Sequence, residues 1–300
     1  MSTSDRSQRR KSTRCWIIWM SCSEVRSAMN REMFHLTARP QVERPSLILG
    51  WTKDIGAVSR GVVDFLAEAP GSRSFGHIVP VHFFPVGGVT VRADVARFPQ
   101  SRLFCNERNN TVILRSDEPQ SHKYEFLNRV LDLAEHYNGA EALYTIDGIA
   151  SMIPHTATRR VFLVSNDPLL QRELRRFVPA GLAWQGPPHT STYLLWLAKI
   201  RRLPGVSLWV EVPFYLADSE DAQAIKTGVS LLNRIFGWDY DLRDLDQRAA
   251  EQDETLAQLR EEDPEIDTRI RLLEQGESLE QQERQELLDA VQGALREHSG

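Results

Sequence analysis

The sequence predicts an α/β fold, a largely parallel sheet covered by helices and followed by a helical C-terminal extension. Three observations carry that prediction. Thr111-Val112-Ile113-Leu114-Arg115 is a short apolar run of the kind a buried strand needs, and Pro119 ends it in a loop. Tyr124, Leu127, Val130, Leu131 and Ala134 then recur at helical spacing, until Asn138-Gly139 stops the helix. Ala142-Leu143-Tyr144-Thr145-Ile146 reads as the next strand, closed by Asp147-Gly148, and Val161-Phe162-Leu163-Val164 as another. Strand, helix and strand in that order make a crossover unit, whose natural outcome is a parallel sheet under helices. Ligands and partners of such sheets meet the loops at the carboxyl ends of the strands.

The other elements follow the same logic. Leu47 to Trp51 reads as the first strand, and Thr52-Lys53-Asp54-Ile55-Gly56 as a turn into a helix with Val58, Val62, Phe65 and Leu66 on its apolar face. A glycine-bearing turn from strand to helix has the outline of a phosphate cradle, but it is neither G-x-x-x-x-G-K-[ST] nor G-x-G-x-x-G, and tight backbone packing is its plain reading. From Ser74 to Asn110 the apolar residues alternate, suggesting short strands at 79–85, 89–91 and 102–105, with Gly87-Gly88 as a hairpin turn. His77 and His82 sit among aromatics and read as packed histidines rather than metal ligands.

Asp167-Pro168 opens a helix that includes Leu169, Leu170, Leu174 and Phe177, with Asp167 as N-cap. Leu182-Ala183-Trp184 is a short strand. Gly186 to Ser191 leads into a helix bearing Leu194, Leu197 and Ala198. Ser191 with His189 raises nucleophilic catalysis, but no G-x-S-x-G elbow surrounds Ser191. Val206 to Tyr215 is the last strong strand, and Glu211 near its end is the best-placed single carboxylate, without a visible acid or base partner. Asp221 to Phe236 is helical and Gly237 ends it.

Three cysteines are too few and too scattered for a disulfide framework or a zinc site, and suit a reduced cytoplasmic protein. No apolar run approaches the ~18 residues of a spanning helix. The net charge of −5 is uneven: Asp239 to Gly300 holds nineteen acidic and seven basic residues, a net −12, leaving +7 for the rest. So acidic a tail argues against nucleic acid as partner. Its leucines keep three-to-four spacing; Asp263-Pro264 opens one helix, Gly276 closes it, and Ser278-Leu279-Glu280-Gln281 has a capping-box pattern. Such stripes pack on a domain or on a partner helix. Residues 1–32 read as a disordered arm or a mispredicted extension upstream of a start at Met29 or Met33. Their apolar core of about six residues is short for a signal peptide. The expected organisation is therefore 1–32 extension, 33–240 α/β domain and 241–300 acidic helical tail.

Several motifs together resemble one family. They are Gly50-Trp51 with Asp54-Ile55-Gly56, Glu118-Pro119-Gln120 with Tyr124-x-Phe126 and Val130 to Ala134, and Pro154-His155-Thr156 with Arg159-Arg160-Val161. Gly186-Pro187, Glu211-Val212-Pro213-Phe214-Tyr215 and Asp241-Leu242-x-x-Leu245 complete the pattern. From Leu47 to Leu245 the sequence is similar to the proteasome assembly chaperone 2 family, and the acidic extension resembles that of prokaryotic members. Departures are an extra residue near Lys53, Phe214 where many members have histidine, and Pro188 in a loop often richer in glycine.

The resemblance implies a three-layer α/β/α fold similar to nucleoside phosphorylases, and a homo-oligomer. It implies no settled activity for bacterial-type members. Together with the lack of a catalytic constellation and the acidic helical tail, it leads to the expectation of a non-enzymatic oligomeric scaffold or assembly-chaperone-like protein without cofactor or metal, with a protein partner met through that tail. Members that dock on proteasome α-rings end in hydrophobic-Tyr-x; the final Arg296 to Gly300 does not support that mode. The alternative is a nucleotide- or nucleoside-binding protein, or an enzyme of ATP-grasp or phosphorylase type. It would use a cluster of strand-end groups: Asp54, Gly56, Glu118, Gln120, His155, Thr156, Gly186, Ser191, Glu211 and Tyr215.

Overall fold

The computed structural model describes residues 34–79, 83–84, 90–92, 95–136, 139–181 and 189–297. The N-terminal extension, His82, the Gly87-Gly88 turn, the strand at 182–184 and Gly186 lie outside the described residues.

The strands are β1 (Phe34–Leu36), β2 (Ser46–Trp51), β3 (Ser72–Ile78), β4 (Thr90–Arg92), β5 (Val95–Arg97), β6 (Ser101–Asn106), β7 (Thr111–Ser116), β8 (Leu143–Ser151), β9 (Val161–Ser165) and β10 (Gly205–Pro213). Eight of them form one sheet in the order β1-β3-β6-β7-β2-β8-β10-β9, while β4 and β5 pair by themselves. The sheet is mixed. Its centre, β7-β2-β8-β10, is parallel, with Ile48 opposite both Ile113 and Tyr144, and Trp209 opposite Asp147. The flanks β1-β3-β6 and β9 are antiparallel. Connection length explains part of the division: β6 and β7 are joined by the turn Glu107 to Asn110, too short for a crossover, with Asn110 at φ 47°.

Helices α1 (Val58–Glu68) and α5 (Ala222–Phe236) cover one face. Their Val58, Val62, Leu66, Ile225, Val229 and Leu232 pack on Ile48, Ile113, Ile146, Leu208, Val210 and Val212 of the strands. Helices α2 (Lys123–His136) and α4 (Thr190–Ile200) cover the other, where Phe126, Val130, Leu194 and Ala198 meet Leu47, Leu49, Val112 and Leu114. Strands buried on both faces read as unbroken apolar runs, which is why β2 and β10 were plain in the sequence. A short helix, α3 (Pro168–Leu174), lies beside β9, its N-cap Asp167 accepting from the amides of Leu169 and Leu170.

The extension folds back as α6 (Arg243–Glu262), α7 (Pro264–Glu274) and α8 (Gln281–Glu297). Its Leu245, Leu256, Ile266, Ile270, Leu273, Leu287 and Val291 are buried in the same core as α1 and α5, so the apolar stripe is covered by the chain's own domain. No helix among the described residues is long and apolar enough to cross a membrane.

Four local expectations are corrected. Asp147-Gly148 is not a turn: β8 runs on to Ser151, because Asp147 finds buried hydroxyl partners and Gly148 lets Ile55 approach, where a Cβ would stand 1.9 Å from the Ile55 carbonyl oxygen. Tyr215 lies past the strand, in a 3₁₀ turn at Phe214–Leu216. Phe177 falls beyond α3, which stops at Leu174. The cap of α8 is shifted: the Glu283 carboxylate accepts from the Glu280 amide at 2.7 Å, placing Glu280, not Ser278, at the N-cap.

Candidate functional site

The strand-end residues fall into distinct contact groups. The first surrounds Asp147. Alternation along β8 and β10 places Thr145, Asp147, Ser207 and Trp209 on the α4 side, opposite Ile146 and Leu208. Ser191, in the first turn of α4, donates to Asp147 Oδ1 at 3.0 Å, and Ser207 donates to Oδ2 at 3.2 Å. Thr145 donates to Ser207 at 2.8 Å, and the Trp51 indole donates to Ser191 Oγ at 2.9 Å. His189 Nδ1 stands 3.8 Å from Asp147 Oδ1, its ring edge-on to Trp209.

Burial raises the Asp147 carboxyl above the usual range, against the pull of His189, Ser191 and Ser207. Serine, histidine and aspartate are thus together, but not as a catalytic triad. Ser191 is fully buried and its hydroxyl goes straight to the carboxylate, so the imidazole does not hold the nucleophile's proton.

Asp54 closes the same end of the sheet. Its carboxylate accepts from the amides of Ser59 at 2.7 Å, Arg60 at 3.5 Å and Gly148 at 3.2 Å. Burial, aided by the charge of Asp147, nevertheless pushes its carboxyl up to about 7. Gly56, at φ 67°, donates to the Ala217 carbonyl at 2.8 Å and accepts from the Asp221 amide at 2.9 Å. The phosphate-cradle reading of this turn fails, because the amides of Gly56, Ser59, Arg60 and Gly148 are already engaged within the protein.

At the rim, Lys123 lies 3.8 Å from Glu118 and donates to Thr190 Oγ1 at 2.9 Å, tying the loop after β7 to the start of α4. Gln120 is exposed, its amide bonded to the Phe83 carbonyl at 3.1 Å.

A second group lies on the opposite side, under the C-terminal helices. The His155 amide donates to Tyr215 Oη at 2.5 Å, and the His155 ring meets that oxygen at 3.0 Å. Burial and the guanidinium groups of Arg260 and Arg159 lower the His155 pKa to about 4, so the ring is neutral at pH 7. Arg159 and Asp221 form a wholly buried ion pair at 2.8 and 3.4 Å, and Arg159 also donates to the carbonyls of His155 and Ala157. Thr156 donates to Glu274 on α7 at 3.1 Å, so this loop is held by the extension.

Glu211 forms the third. Arg160 holds it with a two-pronged contact at 2.7 and 2.8 Å. Burial pulls the Glu211 carboxyl up, but the Arg160 fork outweighs it and the net shift is downward.

Sequence reading missed Asp147, Arg159 and Asp221. The signal for Asp147 was its period-two step from Thr145, which puts both side chains on one face. Among the described residues no group of three histidine, cysteine or acidic side chains is placed to hold a metal ion.

The sequence model of the PAC2 family matches residues 47–260, and the chain belongs to that family. No curated protein matches the chain. Among solved structures it is similar to a protein of unknown function from Corynebacterium glutamicum, with a TM-score of 0.71 and 21% identity over 81% of this chain and 96% of that one. It is similar to PbaB of Pyrococcus furiosus, an archaeal proteasome activator, with a TM-score of 0.64 and 21% identity over 76% of this chain and 98% of that one. PbaA of the same organism, an archaeal homolog of proteasome-assembly chaperone, has a TM-score of 0.61 and 21% identity over 77% and 92%. The match of the family model extends through most of α6, the first helix of the extension.

Proposed function

We propose that the chain is a non-enzymatic, self-associating scaffold of chaperone-like character in the cytoplasm, acting in the assembly of other proteins. One observation carries this reading: Asp54, Ser191, Glu211, His155 and Tyr215, the polar groups a strand-end active site would use, are already bonded to the backbone or to other side chains of the protein. The family and the likeness to an archaeal proteasome activator support it. With the apolar stripe of the extension turned inward, a partner would meet the outward acidic face of α6–α8.

Sedimentation equilibrium of the full chain across a wide concentration range tests self-association; a species that stays monomeric throughout overturns it. Co-purification of the tagged chain from its own cells, against a variant with outward acids of α6 neutralised, tests the partner. Retention of every partner by that variant removes the acidic face from the proposal.

One observation favours the ligand-binding alternative at the carboxyl edge: the raised carboxyls of Asp54 and Asp147 stand beside the partly exposed Glu118 and Lys123. Thermal melting against nucleotides and nucleosides decides between the two. A ligand at 100 times its Kd adds about 2.7 kcal/mol. Such a shift, lost in Glu118→Gln, would replace the scaffold reading.

A further inference from the structure

The antiparallel wing carries a feature that the carboxyl edge does not. Strand register sets His35 of β1 opposite His77 of β3, His77 opposite Arg102 of β6, and Arg102 opposite Arg115 of β7. Residues opposite one another share a face, so four adjacent strands present one row of basic side chains. Among the described residues only the inner end of the row is neutralised, where Arg115 meets Asp64 of α1 at 2.9 Å. The His35 and His77 rings stack at 4.9 Å, and among the described residues Arg102 has no acidic partner. Like charges set opposite one another cost stability unless a counter-charge joins them.

A cavity of about 340 Å³ opens on this row. Thr37, Ser74, His77, Gln100, Ser101 and Arg102 line it together with glycine, isoleucine and proline, and among the described residues none that lines it is acidic. The hydroxyls of Thr37 and Ser74 have no hydrogen-bond partner among the described residues. A guanidinium, an imidazole and two free hydroxyls around a space of this size form a recognition set for an oxyanion. The state of His77 agrees: burial, His35 and Arg102 all lower its pKa, and among the described residues no carboxylate counters them.

We propose that this cavity binds a small molecule bearing a phosphate group, with Arg102 as the fixed charge, His77 as the titrating partner and the Thr37 and Ser74 hydroxyls as further donors. The site is independent of the scaffold reading and of the carboxyl-edge alternative.

Titration of the full chain with inorganic phosphate, followed by calorimetry and by the histidine ring signals in NMR at constant ionic strength, tests it. Saturable binding is expected, weakened tenfold or more by Arg102→Gln, whose parent side chain is exposed and not needed for packing. Bound phosphate should also move the His77 titration midpoint upward. The charged or titratable groups beside His77 in its row are His35 on β1, Arg102 on β6, and Arg115 on β7 with its partner Asp64 on α1.

Adenosine monophosphate and glycerol phosphate, run in parallel, show whether an organic group adds affinity to the anion. Linear, unsaturable uptake overturns the proposal. So does binding that is indifferent to Arg102→Gln with the His77 midpoint unmoved. Binding of tetraglutamate but not of phosphate overturns it in favour of an acidic peptide site. Should Arg102→Gln fail to fold, His77→Gln and the ring signals of the unaltered chain decide on the same criteria.

Discussion

The two sides of the sheet solve the same problem differently. Under the C-terminal helices, the buried carboxylate of Asp221 is matched by a full positive charge on Arg159, with carbonyls taking the remaining guanidinium protons. On the α4 side, the buried carboxylate of Asp147 has, among the described residues, only hydroxyls and a histidine 3.8 Å away. The first arrangement holds its charges through mutual attraction; the second lifts the acid toward its protonated form. A buried acid beside a strand end therefore does not by itself mark catalysis. What surrounds it decides whether it is a clamp, a cage or a reagent.

The largest effect is expected on the ion-pair side. Arg159→Leu strands Asp221 in the core and should cost about 3–5 kcal/mol in urea unfolding. A loss below about 1 kcal/mol would mean that the pair is not the clamp described. Next comes the apolar contact between the extension and the domain. Ile270→Ala should cost about 2–5 kcal/mol in the same measurement, because Ile270 is fully buried in the main core. If the extension were separable from the domain, this variant would melt α7 and leave the main transition in place.

On the caged side the penalty is smaller. Ser191→Ala leaves the Trp51 indole and one oxygen of Asp147 without a partner and should cost about 1–3 kcal/mol. The last effect is a slope against pH and not the cost of a single variant. The Asp54 carboxyl is raised in the folded protein to about 7 from an ordinary value of 3.8, so the folded state holds its proton more tightly. The stability it contributes is full below pH 3.8 and is lost as pH rises through about 7. Between pH 4 and 7.5, the melting temperature of the parent should therefore fall relative to Asp54→Asn. A parallel course of the two curves would remove Asp54 from this account.

The sequence made the centre of the fold legible because β2, β7 and β10 are buried on both faces and read as apolar runs, while α1 and α5 repeat at 3.6 residues. The wing was harder. β3, Ser72–Ile78, is largely polar along half its length, and β1 has only three residues. Asp147-Gly148 spells a turn locally, yet tertiary packing overrides it, since the glycine admits Ile55 and the aspartate points at hydroxyls from two other elements. Of the candidate site residues, Glu211 lies on β10 and Tyr215 in the turn after it, but their partners lie 51 and 60 residues away, and nothing local names them. Clusters built from distant pairs are a property of topology, not of spacing.

The return of α8 onto the turn at Phe214–Leu216 has a consequence for synthesis. Leu287 and Val291 belong to the same core as Leu47's neighbour Ile48, near the start of the domain. At about 5–20 residues per second, the 55 residues from Phe236 to Val291 take roughly 3–11 s to emerge. Throughout that interval the turn at Phe214–Leu216 lacks the cover that α8 gives it in the folded chain.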